Sequence, residues 1–479
     1  MPFKCSSCTN SIKDISPPYS CGKCGDVILY HPPLEELKPL ALHDASFSGV
    51  WRFWKMLPPI ADNFRISLGE GGTFLHRAER LATQLGLRHL YLKNETTNPS
   101  GSFVDRGIAI EISKALSMGF AKLACISHGN LGVSVAAYAA KTGLNCTIYT
   151  PPNIERGKLY QLIAYDAEII FQKKISPKEI RDSTDNLYLI STTSPFFLAG
   201  LKTIAYEVLE QLQKVPNIVI VPVGSGGNIA MFWEGMRELH KLGVTNGSLP
   251  KLVAVQSDGC MPIVEAHKRG LDNAKWRKRV RTLFPDIAVP SPLLGRLALR
   301  AIRESRGLSI SVSDGEIIDA TRILAKSEGI FAEPAAASTI AALRKMVENN
   351  MLDRDDVIVC IITGSGLKEP FIIRPIGRAA RTVAVRTRPA SRVGRMKTLI
   401  LKLLAEKPMH GYALWKNLRK RFGVTVSTVS IYQHLAELQD SGLITAAPLV
   451  AGYGQSKRKR TFYELTILGR RMLDQMTTN

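Results

Sequence analysis

The sequence lacks any long apolar segment. No uncharged run approaches the roughly 18 residues of a membrane-spanning helix, and the first residues, MPFKCSSC, lack the apolar region of a signal peptide. Both absences predict a cytoplasmic protein with no membrane partner. With 479 residues and 45% hydrophobic content, the chain is long enough for two or three globular domains with a sizeable core.

Acidic residues are also scarce. The chain has 41 Asp and Glu against 63 Lys and Arg, a net charge of +22. Residues 371–479 carry 20 Lys and Arg against 5 Asp and Glu, so +15 of that charge lies in less than a quarter of the chain. A region this basic favours an anionic partner, most simply nucleic acid. The alternative is a solvated basic surface.

The eight cysteines fall into two groups. Two CxxC pairs, separated by 12 residues, lie near the amino terminus: Cys5, Cys8, Cys21 and Cys24. This spacing is typical of a zinc ribbon, in which four thiolates hold one structural Zn²⁺, and it predicts such a domain over residues 1–30. A pair of disulfides is the alternative, which a cytoplasmic chain disfavours. The others lie singly in apolar stretches and are predicted to be reduced core thiols: Cys125, Cys146, Cys260 and Cys360.

Residues 40–370 alternate apolar runs with helical patterns. This alternation predicts an α/β domain with open, mostly parallel sheets and helices on both faces. Its central stretch, residues 89–107, reads HLYLKNETTNPSGSFVDRG. That pattern predicts a strand, a Pro/Ser/Gly turn and a helix that begins at Asp105.

The segment NPSGSFVDRG at residues 98–107 resembles the cofactor-attachment segment of threonine synthases, which are fold-type II pyridoxal-phosphate (PLP) enzymes. Further segments resemble that family in the same order along the chain: SLGEGGTFL, SHGNLG, STTSPFFLAGLKT, VPVGSGGN, EPAAA and TGSGLKE. The resemblance implies a tryptophan synthase beta-like fold of two subdomains over residues 40–370. It also implies an amino-terminal zinc ribbon, which many threonine synthases carry.

The same resemblance implies a PLP site. By position, Asn130 packs against the cofactor ring and bonds its 3′-oxygen, while the Thr363 hydroxyl serves the pyridine nitrogen. The phosphate is assigned to the glycine turn and helix start that follow a strand: Gly224, Ser225, Gly226, Gly227 and Asn228. Free backbone N–H groups at such a turn favour a phosphate.

Val104 stands where the family has the lysine that forms the Schiff base. A valine has no amine to hold the PLP aldehyde or to move a substrate proton, so no catalytic residue is assigned and any bound PLP is expected to be non-covalent. Leu131, Phe197 and Ala199 replace further residues of the family's substrate site. Three neighbouring lysines are candidates to restore the imine: Lys93, Lys202 and Lys368.

Residues 371–394 are predicted to be a basic linker, and residues 395–479 a separate winged helix-turn-helix domain. The segments PMHGYAL and FYELT resemble the PadR-like repressors. Ser427 is predicted to cap a recognition helix whose inner face is Val429, Tyr432, Leu435 and Leu438. The candidate DNA contacts lie on that helix and on the wing: Ser427, Thr428, Ser430, Gln433, His434, Lys457, Arg458, Lys459 and Arg460.

The last predicted helix has an apolar face with two interpretations. Leu468, Met472 and Met476 could form the interface of a homodimer, as in related repressors, or cover the core of their own domain.

Two functions compete at this point. The first is a DNA-binding transcriptional regulator whose sensor is a degenerate threonine synthase-like domain that binds PLP or an amino-acid-type ligand. The second is a PLP-dependent threonine synthase that converts O-phosphohomoserine to threonine and phosphate. A bifunctional protein would combine both, but Val104 argues against the enzyme.

Overall fold

The structure, a computed structural model, describes residues 2–8, 10–13, 15–37, 44–127, 129–152, 154–172, 176–182, 186–245, 247–276, 278–369, 395–446, 461–466, 469–470 and 473. It divides into two compact units, Met1–Ala379 and Ala380–Asn479. The predicted linker at 371–394 lies outside the described residues, as do Leu468, Met472 and Met476. Within the described part of the chain, no helix is both long and apolar enough to cross a bilayer.

The first unit begins with a small antiparallel sheet in the order β2-β1-β3. Its strands are β1 (Phe3–Cys5), β2 (Ser11–Ile12) and β3 (Ile28–Tyr30). The sheet is anchored to the rest of the unit by aromatic side chains, because the Tyr188 hydroxyl bonds the Tyr19 hydroxyl at 2.9 Å and the Phe3 and Phe196 rings pack edge to face.

The larger sheet of the first unit has six strands in the order β12-β11-β10-β13-β5-β4. All pairs are parallel except β4 with β5. The strands are β4 (Leu75–Arg77), β5 (His89–Asn94), β10 (Ile218–Pro222), β11 (Lys251–Ser257), β12 (Leu308–Val312) and β13 (Val357–Ile362).

Helices cover both faces of this sheet because successive side chains of a strand point to opposite sides. Ile358 and Cys360 of β13 pack with the helices α1 (Glu79–Leu85), α10 (Asp314–Glu328) and α11 (Pro334–Glu348). Val359 and Ile361 pack on the other face with α6 (Pro195–Leu212), α7 (Gly227–Lys241), α8 (Pro262–Lys268) and α9 (Gly295–Glu304). The all-apolar β13 is therefore buried on both sides.

The smaller sheet is fully parallel, in the order β8-β7-β6-β9. Its strands are β6 (Lys122–Ile126), β7 (Asn145–Thr150), β8 (Glu168–Phe171) and β9 (Leu187–Ile190). The helices between residues 104 and 182 are α2 (Val104–Ser117), α3 (Asn130–Thr142), α4 (Arg156–Ala164) and α5 (Pro177–Asp182). This arrangement confirms the predicted α/β class with helices on both faces of parallel sheets.

The second unit has three described helices and a three-stranded antiparallel sheet in the order β14-β16-β15. Its elements are α12 (Arg395–Glu406), β14 (Met409–His410), α13 (Gly411–Phe422), α14 (Thr428–Asp440), β15 (Ile444–Ala446) and β16 (Phe462–Leu465). Ile400, Leu404, Leu414 and Leu418 lie in its buried core. This order of helices and strands is that of a winged helix.

Candidate functional site

A cavity of about 530 Å³ lies in the first unit, at the carboxyl ends of parallel strands from both sheets. Its walls include Ile126 at the end of β6, Pro222 at the end of β10 and Thr363 just after β13. The first residues of α2, α3 and α7 line it as well. Strand ends and helix N-termini meet here, which is where open α/β folds bind ligands.

The glycine turn at Gly224 to Asn228 forms one wall of this cavity. Gly226 has φ +101, and a Cβ there would lie 2.8 Å from the Leu294 carbonyl oxygen, so only glycine fits the turn. Among the described residues, neither side-chain polar atom of the buried Asn228 has a hydrogen-bond partner. A buried amide left unpaired is costly, so this turn suits a ligand that carries hydrogen-bonding oxygens. A phosphate has that chemistry.

Asn130, the first residue of α3, is held between an acid and a lysine. Its amide nitrogen donates to Glu333 Oε2 at 2.9 Å, and its Oδ1 accepts from Lys368 Nζ at 2.7 Å. A Cβ on Gly364 would lie 2.2 Å from Glu333 Oε1, so this glycine is needed for the acid to approach. Asn130, Glu333 and Thr363 all line the cavity.

Val104 lies in the cavity wall as the first residue of α2 and is 7% exposed. Leu131 and Phe197 line the same cavity, so three of the apolar replacements predicted from the sequence are brought together. Ala199 is buried and lies outside the cavity lining. The cavity wall therefore combines these apolar side chains with the polar Asn130 and the glycine turn.

The three candidate lysines have different surroundings. Lys93 Nζ donates to Glu207 Oε2 and to the Thr73 carbonyl, both at 2.7 Å. Lys202 Nζ donates to Glu238 Oε1 at 2.7 Å. None of the three lines the cavity. Lys93 and Lys202 are held in buried ion pairs, and of these three described lysines only Lys368 bonds a residue of the cavity wall.

Sequence reasoning missed a second buried lysine at this site. Lys158 Nζ forms a very short ion pair with Asp286, which lines the cavity, and donates to Glu369 at 2.9 Å. Burial by itself would lower the pKa of Lys158, but the carboxylates of Asp286 and Glu369 outweigh burial and raise that pKa. No spacing in the sequence links these three residues, because they are brought together only by folding.

The four cysteines of the two CxxC pairs form one cluster. The Sγ–Sγ distances are 3.4 Å for Cys5 with Cys24, 3.7 Å for Cys8 with Cys21 and 3.5 Å for Cys8 with Cys24. These distances exclude a disulfide, whose S–S bond is about 2.05 Å. They approach the roughly 3.8 Å edge of a tetrahedron of thiolates about 2.3 Å from Zn²⁺. The cluster therefore fits a structural zinc ion.

The candidate recognition helix α14 begins as predicted, because the Ser427 hydroxyl accepts a hydrogen bond from Ser430 N at 3.1 Å. Its inner face is as predicted at Leu435 and Leu438, which are buried, and differs at Tyr432, which is 51% exposed, while Ile431 is buried instead. The side chain of Val429 lies outside the described part of the structure. The i, i+4, i+7 spacing buries Ile431, and this turns Tyr432 outward.

The candidate DNA contacts on α14 are all accessible. Ser427, Thr428 and Gln433 are exposed, and Ser430 and His434 are half-buried. The candidate wing residues Lys457, Arg458, Lys459 and Arg460 lie outside the described part of the chain.

Comparison with known proteins agrees with both units. A family model described as pyridoxal-phosphate dependent enzyme matches residues 66–364, and one described as transcriptional regulator PadR-like family matches residues 400–475. A threonine synthase of Methanocaldococcus jannaschii is 40% identical over 363 residues, covering 74% of this chain and 89% of the relative. A threonine synthase of Methanosarcina acetivorans is 36% identical over 379 residues, covering 77% of this chain and 92% of the relative.

Solved structures support the fold alone, because their sequence identity is low. Maize serine racemase has a TM-score of 0.55 at 20% identity and covers 64% of this chain and 92% of its own. Diaminopropionate ammonia lyase from Escherichia coli has a TM-score of 0.55 at 18% identity and covers 67% of this chain and 91% of its own.

Proposed function

The chain belongs to the threonine synthase family of pyridoxal-phosphate dependent enzymes and carries a PadR-like regulator domain, and we propose that it is a DNA-binding transcriptional regulator. Its sensor is the threonine synthase-like unit, which binds PLP or an amino-acid-type ligand without turning over the family's substrate. The observation that carries this proposal is Val104, an apolar side chain in a cavity whose wall still includes Asn130, the glycine turn and Thr363.

The cavity fits PLP in size and in donor groups. Its volume of about 530 Å³ lies within the range of about 300–1,000 Å³ typical of small-molecule sites. The unpaired Asn228 amide and the N-terminus of α7 would hold the phosphate. Asn130 would face the ring and its 3′-oxygen, and the Thr363 hydroxyl the pyridine nitrogen. When bound, PLP supplies an electron sink for carbanion chemistry.

Loss of the substrate shell supports binding without turnover. Phe197 would replace a guanidinium with an aromatic ring, and a ring cannot bind a phosphate through paired N–H donors. Leu131 removes a hydroxyl from the same wall. The cavity would therefore keep its affinity for the cofactor-like part of a ligand and lose contacts to O-phosphohomoserine.

Threonine synthase activity is the second candidate, and the 40% identity to a threonine synthase favours it. An assay of phosphate release from O-phosphohomoserine in the presence of PLP separates the candidates. We expect no release above background, and Val104→Lys serves as the variant in which the family's amine is restored. Release by the wild-type chain, together with specific DNA binding, would establish a bifunctional protein.

The DNA-binding half of the proposal rests on the winged helix and its charge. Binding of the full chain to random-sequence duplex DNA should weaken steeply as salt rises, because each neutralised phosphate contributes about −0.9 to the slope of log K against log salt. Replacement of Lys457 to Arg460 by alanine should reduce the magnitude of that slope by up to about 3.6. Lys268→Ala/Arg269→Ala, on the exposed end of α8, is the matched control and should leave it unchanged. An unaltered slope in the wing variant would refute the wing assignment.

Sensing requires that the ligand bind the DNA-competent and DNA-incompetent arrangements with different affinity. A specific operator can be obtained by selection from random duplexes with the full chain, which is proposed to act as a homodimer. Added PLP should then shift the operator Kd of the wild type. Asn228→Ala should diminish this shift and leave the Kd without PLP unchanged. A Kd that is independent of PLP and of amino acids would contradict the sensor role.

A further inference from the structure

The side chain of Lys368 runs along the segment that resembles the PLP-attachment turn. A methyl group on Gly101 would lie 3.6 Å from Lys368 Cε. Two backbone hydrogen bonds fix this neighbourhood: Ser365 N donates to the Gly101 carbonyl at 2.9 Å, and Phe103 N donates to the Thr363 carbonyl at 3.0 Å. Lys368 is therefore placed beside the turn that leads to Val104, although it is 264 residues further along the chain.

The amine of Lys368 bonds Asn130, which lines the cavity, although Lys368 is not itself one of the lining residues. The residue is 2% exposed, its Nζ lies 2.7 Å from Asn130 Oδ1, and Glu333 Oε2 lies 4.0 Å away. Burial lowers the pKa of Lys368, which favours the neutral amine, the nucleophilic form. The pKa of Lys158 is raised instead, because its two carboxylate partners stabilise the ammonium form.

We infer that Lys368 is the residue through which this chain captures the aldehyde of PLP, as an imine, in place of the lysine that is missing at residue 104. The inference rests on the proposed function of the cavity as a PLP site. Asn130 is assigned to the 3′-oxygen of the ring, and the aldehyde carbon is attached to the neighbouring ring position. An amine that bonds the same amide is therefore placed near the ring positions that flank the 3′-oxygen, one of which carries the aldehyde.

The step is a condensation that needs no oxidant or reductant. The lone pair of Lys368 Nζ attacks the aldehyde carbon, a C–N bond forms, and the electrons of the C=O double bond move to oxygen. Glu333 can carry the first proton from nitrogen to this oxygen, which becomes a hydroxyl, and then the second. As the nitrogen lone pair forms the C=N bond, the C–O bond breaks and the oxygen leaves as water. The products are one imine and one water molecule.

Capture at Lys368 would also separate PLP binding from turnover. Lys368 follows β13, whereas Val104 begins α2. The amine is then carried by a different element than an amine at residue 104 would be. The family's proton transfer depends on the latter position, so a covalently held PLP is compatible with a sensor that does not make threonine.

The test uses the full chain mixed with PLP, followed by an absorption spectrum, borohydride reduction and peptide mass analysis. We expect a visible imine band and one phosphopyridoxyl group per chain on the peptide that contains Lys368. Lys368→Met should lose both the band and the label. Lys345→Met, which removes a half-exposed lysine paired with Glu316 at 3.0 Å, should keep both.

A double variant shows whether loss of the label reflects loss of the amine or loss of the fold. Val104→Lys/Lys368→Met should be labelled at residue 104, because the glycine turn is intact and the family's amine is restored. A label on another lysine of the wild type would overturn the inference, and so would PLP that is retained in equilibrium dialysis without forming an imine. The latter result would leave the proposed cofactor site standing. PLP that binds neither the wild type nor the double variant would overturn both.

Discussion

A buried ion network holds α2 in place beneath the candidate site, and replacement of Glu207 by glutamine tests it. Glu207, Lys93, Arg106 and Glu95 all have fully buried side chains. Glu207 Oε2 lies 2.7 Å from both Lys93 Nζ and Arg106 Nη2. These two cations face two carboxylates, and Arg52, itself paired with Glu210, lies 3.5 Å from Glu207 Oε1. Glu207→Gln therefore leaves one positive charge uncompensated at nearly unchanged shape.

We expect Glu207→Gln to lower the free energy of unfolding by about 3–5 kcal/mol, the usual cost of removing one partner of a buried ion pair. That is a large part of the roughly 5–15 kcal/mol that stabilises a typical domain. The matched control is Asp355→Asn. Arg88 and Asp355 are 2.6 Å apart, and their side chains are 54% and 67% exposed. At this similar distance but high exposure, the loss should be only about 0–1 kcal/mol.

Urea unfolding of the full chain, followed by tryptophan fluorescence, measures both losses. Four of the five tryptophans lie in the first unit, so the signal reports mainly on it. The double variant Lys93→Met/Glu207→Gln removes one charge of each sign and should cost less than the sum of its single variants by about 0.5–3 kcal/mol. Equal losses for the buried and the exposed pair, or strict additivity in the double variant, would refute the reasoning.

The network also predicts acid sensitivity. Burial alone would raise the pKa of Glu207, but Arg106 and Lys93 outweigh it and hold that pKa below its ordinary value. The folded state therefore binds this proton less readily than the unfolded chain does. Its contribution is complete above the ordinary glutamate pKa and is lost as the pH falls towards the folded value. Glu207→Gln should consequently flatten the acid limb of the stability profile.

Burial raises the pKa of Glu111 to about 7. The unfolded chain therefore loses this proton at a lower pH than the folded chain does, and the free energy of unfolding should fall by about 3 kcal/mol as the pH rises from about 4.5 to 7. Urea unfolding across that range should show the fall in the wild type but not in Glu111→Gln; parallel profiles would contradict it. Gly200→Ala would place a Cβ 2.2 Å from a backbone oxygen of α2 and should cost about 1–3 kcal/mol, whereas Gly315→Ala, with no atom closer than 3.9 Å, should be neutral or slightly stabilising. Elemental analysis should find one zinc per chain in the wild type and in Cys146→Ser but none in Cys8→Ser, and metal retained by Cys8→Ser would exclude the four-thiolate site.

Much of the fold could be predicted from the sequence because its signals are local. Alternation of apolar runs with helical patterns predicts parallel sheets covered by helices, and a strand followed by a glycine turn predicts the position of Gly224 to Asn228. The CxxC spacing predicts the thiolate cluster in the same way. Even so, local periodicity on α14 placed Tyr432 on the inner face, which was wrong. Only packing showed that Ile431 is buried and Tyr432 is exposed.

The sequence by itself determined which side chains the site lacks, because residue 104 is valine whatever the fold around it. Tertiary structure alone decided which of the three candidate amines bonds a residue of the cavity wall. The sequence does not distinguish the three candidate lysines. In the structure Lys93 is held by Glu207 and Lys202 by Glu238, whereas Lys368 bonds Asn130. Asn130 and Lys368 are 238 positions apart, and no local pattern encodes a contact over that separation. It exists because the carboxyl end of β13 and the N-terminus of α3 meet at one cavity.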